Sequence, residues 1–367
     1  MKSNILIAID SFKGSLSSLE AARAVEKGLR SSLTKSQIRL LPLADGGEGT
    51  LEMLNHFFIL DLHQEEIVDL YGLPLKSKIY YNQEIAFLEA AHAAGLQEKT
   101  DIYKASSLGF GMELLIARSL SPKKILLGLG GTGVNDGGMG FLHSLGLRFY
   151  HDDKELSPSL ESLFYVNRIE GEIASISNLL VAVDVTNPLL GENGASAVYG
   201  PQKGLKAKDL PRVDQAMKGY ALLLEKHFQK KVKDLPGAGA AGGLGFALLL
   251  IGASLKPGFS LLTELCNFND HLLWADIVIT GEGRFDSQSL QGKGPTELAR
   301  KAKEKNKAVF GFFGELIAES PLFDGSFSIQ QGPISLEDAM EPKMTQKNLE
   351  KTAKSLAGTL KAARKLG

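Results

Sequence analysis

Acidic residues follow short apolar segments at five places in this sequence, together with glycines. The five acids are Asp10, Asp45, Asp136, Asp184 and Glu282. Glycine allows backbone N–H groups to approach an anion closely, and carboxylates are ligands that Mg²⁺ prefers. Acids, glycines and a few lysines or arginines are the groups that phosphoryl transfer from a Mg²⁺-nucleotide requires.

The densest of these places is Ile125–Gly140, where an apolar strand pattern leads into seven glycines. A strand, a glycine loop and the start of a helix predict a phosphate-binding loop. Gly128, Gly130 and Gly133 also fit the dinucleotide fingerprint G-x-G-x-x-G. Asn135–Gly138 interrupts the helix that this fingerprint requires, so a dinucleotide site is less favoured. A tight turn without a ligand remains an alternative.

The elements that position these residues are short apolar strands, each followed by a loop and a helix. The clearest strand patterns lie at Ile5–Ile9, Leu40–Leu43, Ile125–Leu127, Val181–Val183 and Ala275–Thr280. This alternation predicts an α/β protein with parallel sheets, in which ligands bind at the carboxyl ends of the strands. Ser17 and Glu20 form a capping-box pattern that predicts the start of a helix.

The composition excludes several classes of protein. The chain has 367 residues, enough for two domains, and 41 basic against 42 acidic residues give a net charge of −1. This balance predicts no binding to nucleic acid or to an anionic membrane. The one cysteine, Cys266, excludes an intrachain disulfide, and the amino-terminal segment does not resemble a secretory signal. We therefore expect a cytoplasmic protein.

The absence of several known motifs excludes further classes of enzyme. No Walker A motif, protein-kinase triplet, zinc-type Cys/His cluster or G-x-S-x-G elbow occurs. Gly237–Leu255 is nineteen residues long and uncharged, which is long enough to cross a membrane. Its first half consists mainly of glycine and alanine, so we expect a second phosphate-binding loop followed by a buried helix.

Seven motifs resemble those of the bacterial type I glycerate kinase family, in the same order along nearly the whole chain. They are DSFKGS at 10–15, ADGGEGT at 44–50, GGTGVNDGG at 130–138, DVTNPLLG at 184–191, GPQKG at 200–204, GAGAAGG at 237–243 and ITGEGRFDSQS at 279–289. The resemblance implies phosphorylation of D-glycerate, with 2-phosphoglycerate as the expected product. It also implies ATP and Mg²⁺ as cofactors.

The resemblance also implies a domain organisation. Residues 1–70 and 270–367 would form a flavodoxin-like α/β domain with a parallel sheet. Residues 71–269 would form a second α/β domain, of the restriction-enzyme-like type, inserted into the first. The site is expected in a cleft between the domains. The sequence leaves the oligomeric state open, with a homodimer as one alternative.

Candidate site residues follow from the motifs and their chemistry. Lys13 and Arg284 are the candidate cations, and Asp184 and Asp286 could orient or deprotonate the reacting hydroxyl. Asp45, Glu48 and Asp136 are candidate Mg²⁺ ligands. The nucleotide-binding set lies in the glycine-rich motifs and comprises Gly130, Gly131, Thr132, Asn135, Lys203, Gly237, Gly239, Gly242 and Gly243.

Some positions depart from the family pattern. Thr132–Asn135 stands where Ser-Ala-Thr-Asn is usual, Ser106–Gly111 replaces a Thr-Thr-x-Gly-Thr-Gly run, and Gly294 replaces a common Val. The acids and lysines are retained, so these changes affect substrate preference or rate more than reaction class. The second hypothesis is a regulator that binds nucleotides or sugar phosphates and has lost turnover.

Overall fold

A computed structural model of the chain describes residues 3–47, 49–98, 101–291 and 294–363. The chain divides into two compact units. The first unit comprises Met1–Phe57 and Leu262–Gly367, and the second comprises Phe58–Leu261. The boundaries between the domains were expected from the sequence after residues 70 and 269. Residues 58–70 fall in the second unit because a strand at Asp61–His63 pairs within its main sheet.

Short strands and helices alternate along both units, as the sequence predicts for an α/β protein. In chain order the strands are β1 (Asn4–Ile7), β2 (Gln37–Leu40), β3 (Asp61–His63), β4 (Glu66–Val68), β5 (Pro74–Lys76), β6 (Ile79–Tyr81), β7 (Ile85–Glu89), β8 (Lys124–Gly128), β9 (Arg148–His151), β10 (Lys154–Glu155), β11 (Arg168–Glu170), β12 (Leu179–Ala182), β13 (Ser254–Lys256), β14 (Ile277–Phe285), β15 (Ala308–Leu316) and β16 (Gly325–Ser328). In chain order the α-helices are α1 (Ser18–Arg30), α2 (Thr50–Phe58), α3 (Ala90–Ala94), α4 (Leu108–Ser119), α5 (Met139–Ser144), α6 (Ala195–Tyr199), α7 (Leu210–Phe228), α8 (Ala240–Leu250), α9 (Gly258–Leu265), α10 (Phe268–Trp274), α11 (Gly294–Lys303), α12 (Leu336–Met340) and α13 (Pro342–Ala363).

The first unit is built on a five-stranded parallel sheet in the order β16-β15-β14-β1-β2. β1 and β14 are its central strands, and their side chains from Ile5 to Ile7 and at Val278 and Ile279 are fully or almost fully buried. Apolar residues on both faces are typical of a parallel strand covered by helices on both sides. The carboxyl ends of all five strands lie along one side, which we call the first-unit edge.

Helices α1 and α13 pack together in the first unit. The predicted capping box is confirmed, because the Ser17 side chain accepts from the Glu20 N–H and the Glu20 side chain accepts from the Ser17 N–H. α13 buries an apolar stripe that includes Leu349, Ala353 and Leu356. A Cβ at Gly28 would lie 2.3 Å from the carbonyl oxygen of Glu350, so the close contact of the two helices requires glycine there.

The second unit is built on a six-stranded sheet in the order β13-β12-β8-β7-β6-β3. Its first four strands are parallel, whereas β6 and β3 are antiparallel additions. A hairpin at Asn82-Gln83, the kind of tight turn that a local sequence pattern can specify, joins β6 to β7. Smaller sheets are formed by β4 with β5 and by β9 with β10 and β11. The carboxyl ends of β7, β8, β12 and β13 form the second-unit edge.

The uncharged segment Gly237–Leu255 contains α8, whose side chains are mostly buried. No helix in the described ranges is long and apolar enough to span a membrane.

Candidate functional site

Polar side chains follow neighbouring strands at the first-unit edge. β1 and β2 lead to Asp10 and Asp45, and β14 carries Glu282; these three strands are adjacent in one parallel sheet. The Asp10 N–H donates to the Gly281 carbonyl at 2.9 Å, which sets Asp10 beside Glu282. Lys13 and Asp45 are exposed in the loops that follow. Glu48, a candidate Mg²⁺ ligand, lies outside the described residues.

Arg284 and Asp286 lie together at the same edge. β14 is longer than predicted and extends through Phe285, so Glu282 and Arg284 are strand residues rather than loop residues. The Arg284 Nε lies 3.3 Å from Asp286 Oδ2 and 3.5 Å from Glu315 Oε2. The Asp286 carboxylate also accepts from the Gln288 N–H at 2.9 Å. Arg284 remains 62% exposed, so its guanidinium is accessible to a ligand.

The second-unit edge carries Glu89, the glycine loop and Asp184, after β7, β8 and β12. We use the name glycine loop for Gly130–Gly138. Asp184 is exposed and accepts from the Gly258 N–H at 2.9 Å. Desolvation raises the pKa of the Glu89 carboxyl group, with His92 and Lys78 opposing the shift. The sequence analysis missed Glu89 as a strand-end acid because it also begins an alanine-rich helix.

Three N–H groups of the glycine loop donate hydrogen bonds within the protein. Gly133 donates to the Ala94 carbonyl at 2.8 Å, and Gly137 donates to the Gly242 carbonyl at 3.0 Å. Gly138 donates to Asp136 Oδ1 at 3.1 Å. Gly130 and Gly131 are exposed, and their N–H groups have no acceptor among the described residues. The surface offered to an anion is therefore the turn at Gly130 and Gly131.

Asp136 supports the loop from inside the unit rather than facing solvent. Its Oδ2 accepts from the N–H and hydroxyl of Ser107, both at 2.8 Å, and from the Gly140 N–H at 3.1 Å. Burial raises the pKa of the Asp136 carboxyl group, and these hydrogen bonds oppose the shift. Because donors of the protein surround a fully buried carboxylate, we replace the predicted Mg²⁺ ligand role of Asp136 with a structural one.

Ser107 is a hydrogen-bond partner of Asp136 that the sequence does not predict. Its hydroxyl donates to Asp136 and accepts from the Phe141 N–H at 2.9 Å, so it links the loop to α5. The motif Ser106–Gly111 had been noted as a departure from the family, but nothing local to it indicates a contact with Asp136.

The second glycine-rich motif serves close backbone contact. A Cβ at Gly242 would lie 2.1 Å from the Val134 carbonyl oxygen, and one at Gly243 would lie 2.6 Å from the Gly137 Cα. Gly239 donates its N–H to the Asn187 carbonyl at 2.9 Å, and its own Cβ would lie 2.3 Å from the Pro188 carbonyl oxygen. These glycines therefore have a packing role, and Gly237, with a φ of +84°, is a turn residue. Phosphate binding by this motif stays a prediction.

Lys203 and Asn135 lie behind the glycine loop. The Lys203 ammonium donates to the Val134 carbonyl at 2.8 Å and to Thr132 Oγ1 at 3.3 Å. The Asn135 side-chain N–H donates to the Ser196 hydroxyl at 2.9 Å, while its buried Oδ1 has no donor among the described residues. Lys203, Asn135 and Thr132 thus hold the loop rather than line its exposed turn.

A preformed metal cage is not part of this arrangement. Within the described ranges, no group of three or more His, Cys, Asp or Glu side chains is placed to hold a metal ion. Mg²⁺ in kinases is bound by one or two carboxylates together with substrate phosphates, so the exposed Asp45 carboxylate fits such an ion.

Comparisons with known proteins identify the family. A model of the glycerate kinase family matches residues 5–361. Glycerate kinase of Halalkalibacterium halodurans is 37% identical over 96% of this chain and 97% of its own. Glycerate 2-kinase of Escherichia coli is 36% identical over 97% of both chains. The crystal structure of a glycerate kinase 2 from Salmonella typhimurium LT2 covers all of both chains at 37% identity, with a TM-score of 0.88.

The α/β fold with parallel sheets agrees with the structural match, and the relatives are named as kinases, a class of phosphotransferases. This chain belongs to the glycerate kinase family. The resemblance drawn from its motifs is confirmed, and the chain is a kinase. A regulator without turnover is not favoured, because the relatives that cover the whole chain are named as kinases.

Proposed function

We propose that this enzyme transfers the γ-phosphoryl group of ATP to D-glycerate and forms 2-phosphoglycerate, with Mg²⁺ as the metal. The observation that carries the proposal is the family match over residues 5–361. The position of the product phosphate follows the Escherichia coli relative, which is named glycerate 2-kinase. ATP is proposed because a kinase family implies a nucleotide as phosphoryl donor, and Mg²⁺ because it accompanies nucleotide phosphates in kinases.

In the second unit, the exposed N–H groups of Gly130 and Gly131 are the proposed donors to ATP phosphate oxygens. A Cβ at Gly130 would meet no atom within 4 Å, so the space beside this residue is open to a ligand. Backbone N–H groups in such a turn bind phosphate without a side chain. Asn135 and Lys203 support this turn, as do Gly239, Gly242 and Gly243 through packing.

In the first unit, Arg284 is the proposed ligand of the glycerate carboxylate, because its planar guanidinium can bond both oxygens. Its exposed contacts with Asp286 and Glu315 contribute little free energy, so they can be exchanged for a substrate. Lys13 suits an anionic oxygen as a point charge. Asp286 and Asp184 are the candidates for orienting or deprotonating the reacting hydroxyl.

Asp45, with its exposed carboxylate, is the proposed contribution of the described residues to Mg²⁺ binding. Bound Mg²⁺ would neutralise developing charge on the phosphate oxygens.

The test is an assay of ADP release from ATP with and without D-glycerate, followed by phosphorus NMR of the product. We expect glycerate-dependent release that stops on chelation of Mg²⁺, and a 2-phosphate product. Gly130→Val should abolish ATP binding because its side chain fills the open space, whereas Gly219→Ala, on α7 and with equally open surroundings, should not. Absence of glycerate-dependent release would refute the function, and a 3-phosphate product would refute the assigned hydroxyl.

A further inference from the structure

Lys203 places an ammonium group in the interior of the second unit. It ends the 3₁₀ turn Pro201–Lys203, and only 3% of the residue is exposed. Its two hydrogen-bond acceptors, the Val134 carbonyl and Thr132 Oγ1, are neutral. Within the described part of the chain, no carboxylate forms an ion pair with it. Burying a charge without a paired counterion costs free energy of folding, so we expect this lysine to have a specific role.

The reason lies in what the ammonium holds. Thr132 and Val134 lie on either side of Gly133, whose N–H donates to the Ala94 carbonyl at 2.8 Å. The Leu96 N–H donates to the Gly131 carbonyl at 2.9 Å. The strand-like segment Gly131–Val134 is therefore hydrogen-bonded along its backbone to Ala94, at the end of α3, and to Leu96. From the interior it is bonded to Lys203. At one end of this segment, Gly130 and Gly131 are exposed residues whose N–H groups have no acceptor among the described residues.

We infer that Lys203 is a positioning residue for phosphate binding, which fixes the Thr132–Val134 backbone and supplies positive charge behind the Gly130–Gly131 turn. The identity of the anion, an ATP phosphate, rests on the proposed function. The fixing of the backbone does not, because it follows from hydrogen bonds within the second unit.

The charge of Lys203 is open to titration. Burial lowers its pKa to about 8, and the negative charge of Asp136 partly opposes the shift. Nearby titratable groups on the packed elements are Asp136 in the loop, Tyr199 in α6 and Tyr220 in α7. Burial raises the pKa of both tyrosines, so they stay neutral between pH 7 and 9.5. Above pH 8 Lys203 becomes a neutral amine that still donates N–H bonds but no longer attracts phosphate by charge.

The first experiment measures amide hydrogen exchange of residues 128–136 by mass spectrometry. Lys203→Met should exchange faster than wild type in this segment, because the Val134 carbonyl and the Thr132 hydroxyl lose their donor. Lys206→Met is the matched control, since Lys206 is exposed three residues along the same chain segment. Equal exchange in the Lys203 variant and the wild type would overturn the positioning role.

The second experiment measures KM and kcat for both substrates. Lys203→Met should raise KM for ATP about tenfold or more, because the Gly130–Gly131 turn loses both its support and the positive charge behind it. KM for glycerate should change less than about twofold. In the wild type, kcat/KM for ATP should fall between pH 8 and 9.5, and the fall should be absent in the variant.

If kcat/KM for ATP in the wild type does not change between pH 8 and 9.5, the role of the charge is refuted. This result does not depend on whether any variant folds. A wild type that shows no glycerate-dependent use of ATP would refute the proposed function instead. The exchange experiment would still decide whether Lys203 fixes the loop, so the two failures can be told apart.

Discussion

Raising the pH from 8 to 9.5 should stabilise the second unit of the wild-type protein and should not do so in Lys203→Met. The folded state holds Lys203 with a pKa of about 8, whereas the ordinary value is 10.5. Between these two values the unfolded chain binds a proton that the folded protein does not bind. Stability rises with pH wherever the unfolded state binds more protons, so the sign is an increase.

The magnitude follows from the width of the pH window. One pH unit inside it changes the free energy of unfolding by about 1.4 kcal/mol. The step from pH 8 to 9.5 therefore adds about 2 kcal/mol through Lys203. Below pH 8 both states are protonated and this contribution is constant, and above 10.5 both are neutral.

The distribution of aromatic residues allows each unit to be followed separately. All eight tyrosines lie between residues 58 and 261, and the one tryptophan, Trp274, lies in the first unit. Tyrosine absorbance during denaturant unfolding therefore reports on the second unit, and Trp274 fluorescence serves as the internal control. Other titrations are common to wild type and Lys203→Met, so they cancel in the comparison. An equal pH dependence in the two proteins would refute the reasoning.

Three further predictions use the same unfolding signals or the kinase assay. Asp136→Asn should destabilise the second unit by about 2–4 kcal/mol, because an amide cannot accept from all the donors around it; a loss under about 1 kcal/mol would contradict the structural role. Gly242→Ala should lower the free energy of unfolding of the second unit by more than about 3 kcal/mol. Its Cβ would lie 2.1 Å from a carbonyl oxygen, and the residue has a φ of +68°. The control Gly219→Ala, inside α7 with open space, should instead add roughly 0.5–1 kcal/mol, and equal effects would refute the contact argument. Arg284→Ala should raise KM for glycerate about tenfold or more with KM for ATP unchanged, and equal rises in both would remove Arg284 from carboxylate recognition.

Local patterns in the sequence were sufficient for much of the fold. Apolar runs predicted the central strands, and the Ser17–Glu20 capping box predicted the start of α1, because both signals depend on neighbouring residues. The hairpin at Asn82-Gln83 is local in the same sense. β14 was predicted too short because glycines at 281 and 283 suggested a loop, yet Gly281 is a strand residue that packs close to Phe312.

The candidate site was less predictable, because the residues concerned act through distant partners. A glycine whose N–H binds an anion and a glycine that lets another backbone segment pack closely look the same in the sequence. Gly130 and Gly242 differ in backbone conformation and in what lies next to them, and both differences appear only in the folded unit. The sequence likewise predicts that Asp136 is a metal ligand. Only its contact with Ser107 shows that it supports the glycine loop.

The hydrogen bond from Gly137 to Gly242 has a consequence for the order of folding. Residues 134–137 take their packed form only once residues 242 and 243, far along the chain, have docked against them. Closing so long a loop costs entropy before the contact is gained. We therefore expect the glycine loop to reach its final shape late, after the sheet around β8 has formed. During synthesis, a chain that has not yet emerged beyond α8 should lack ATP affinity even when β7 and β8 are already paired.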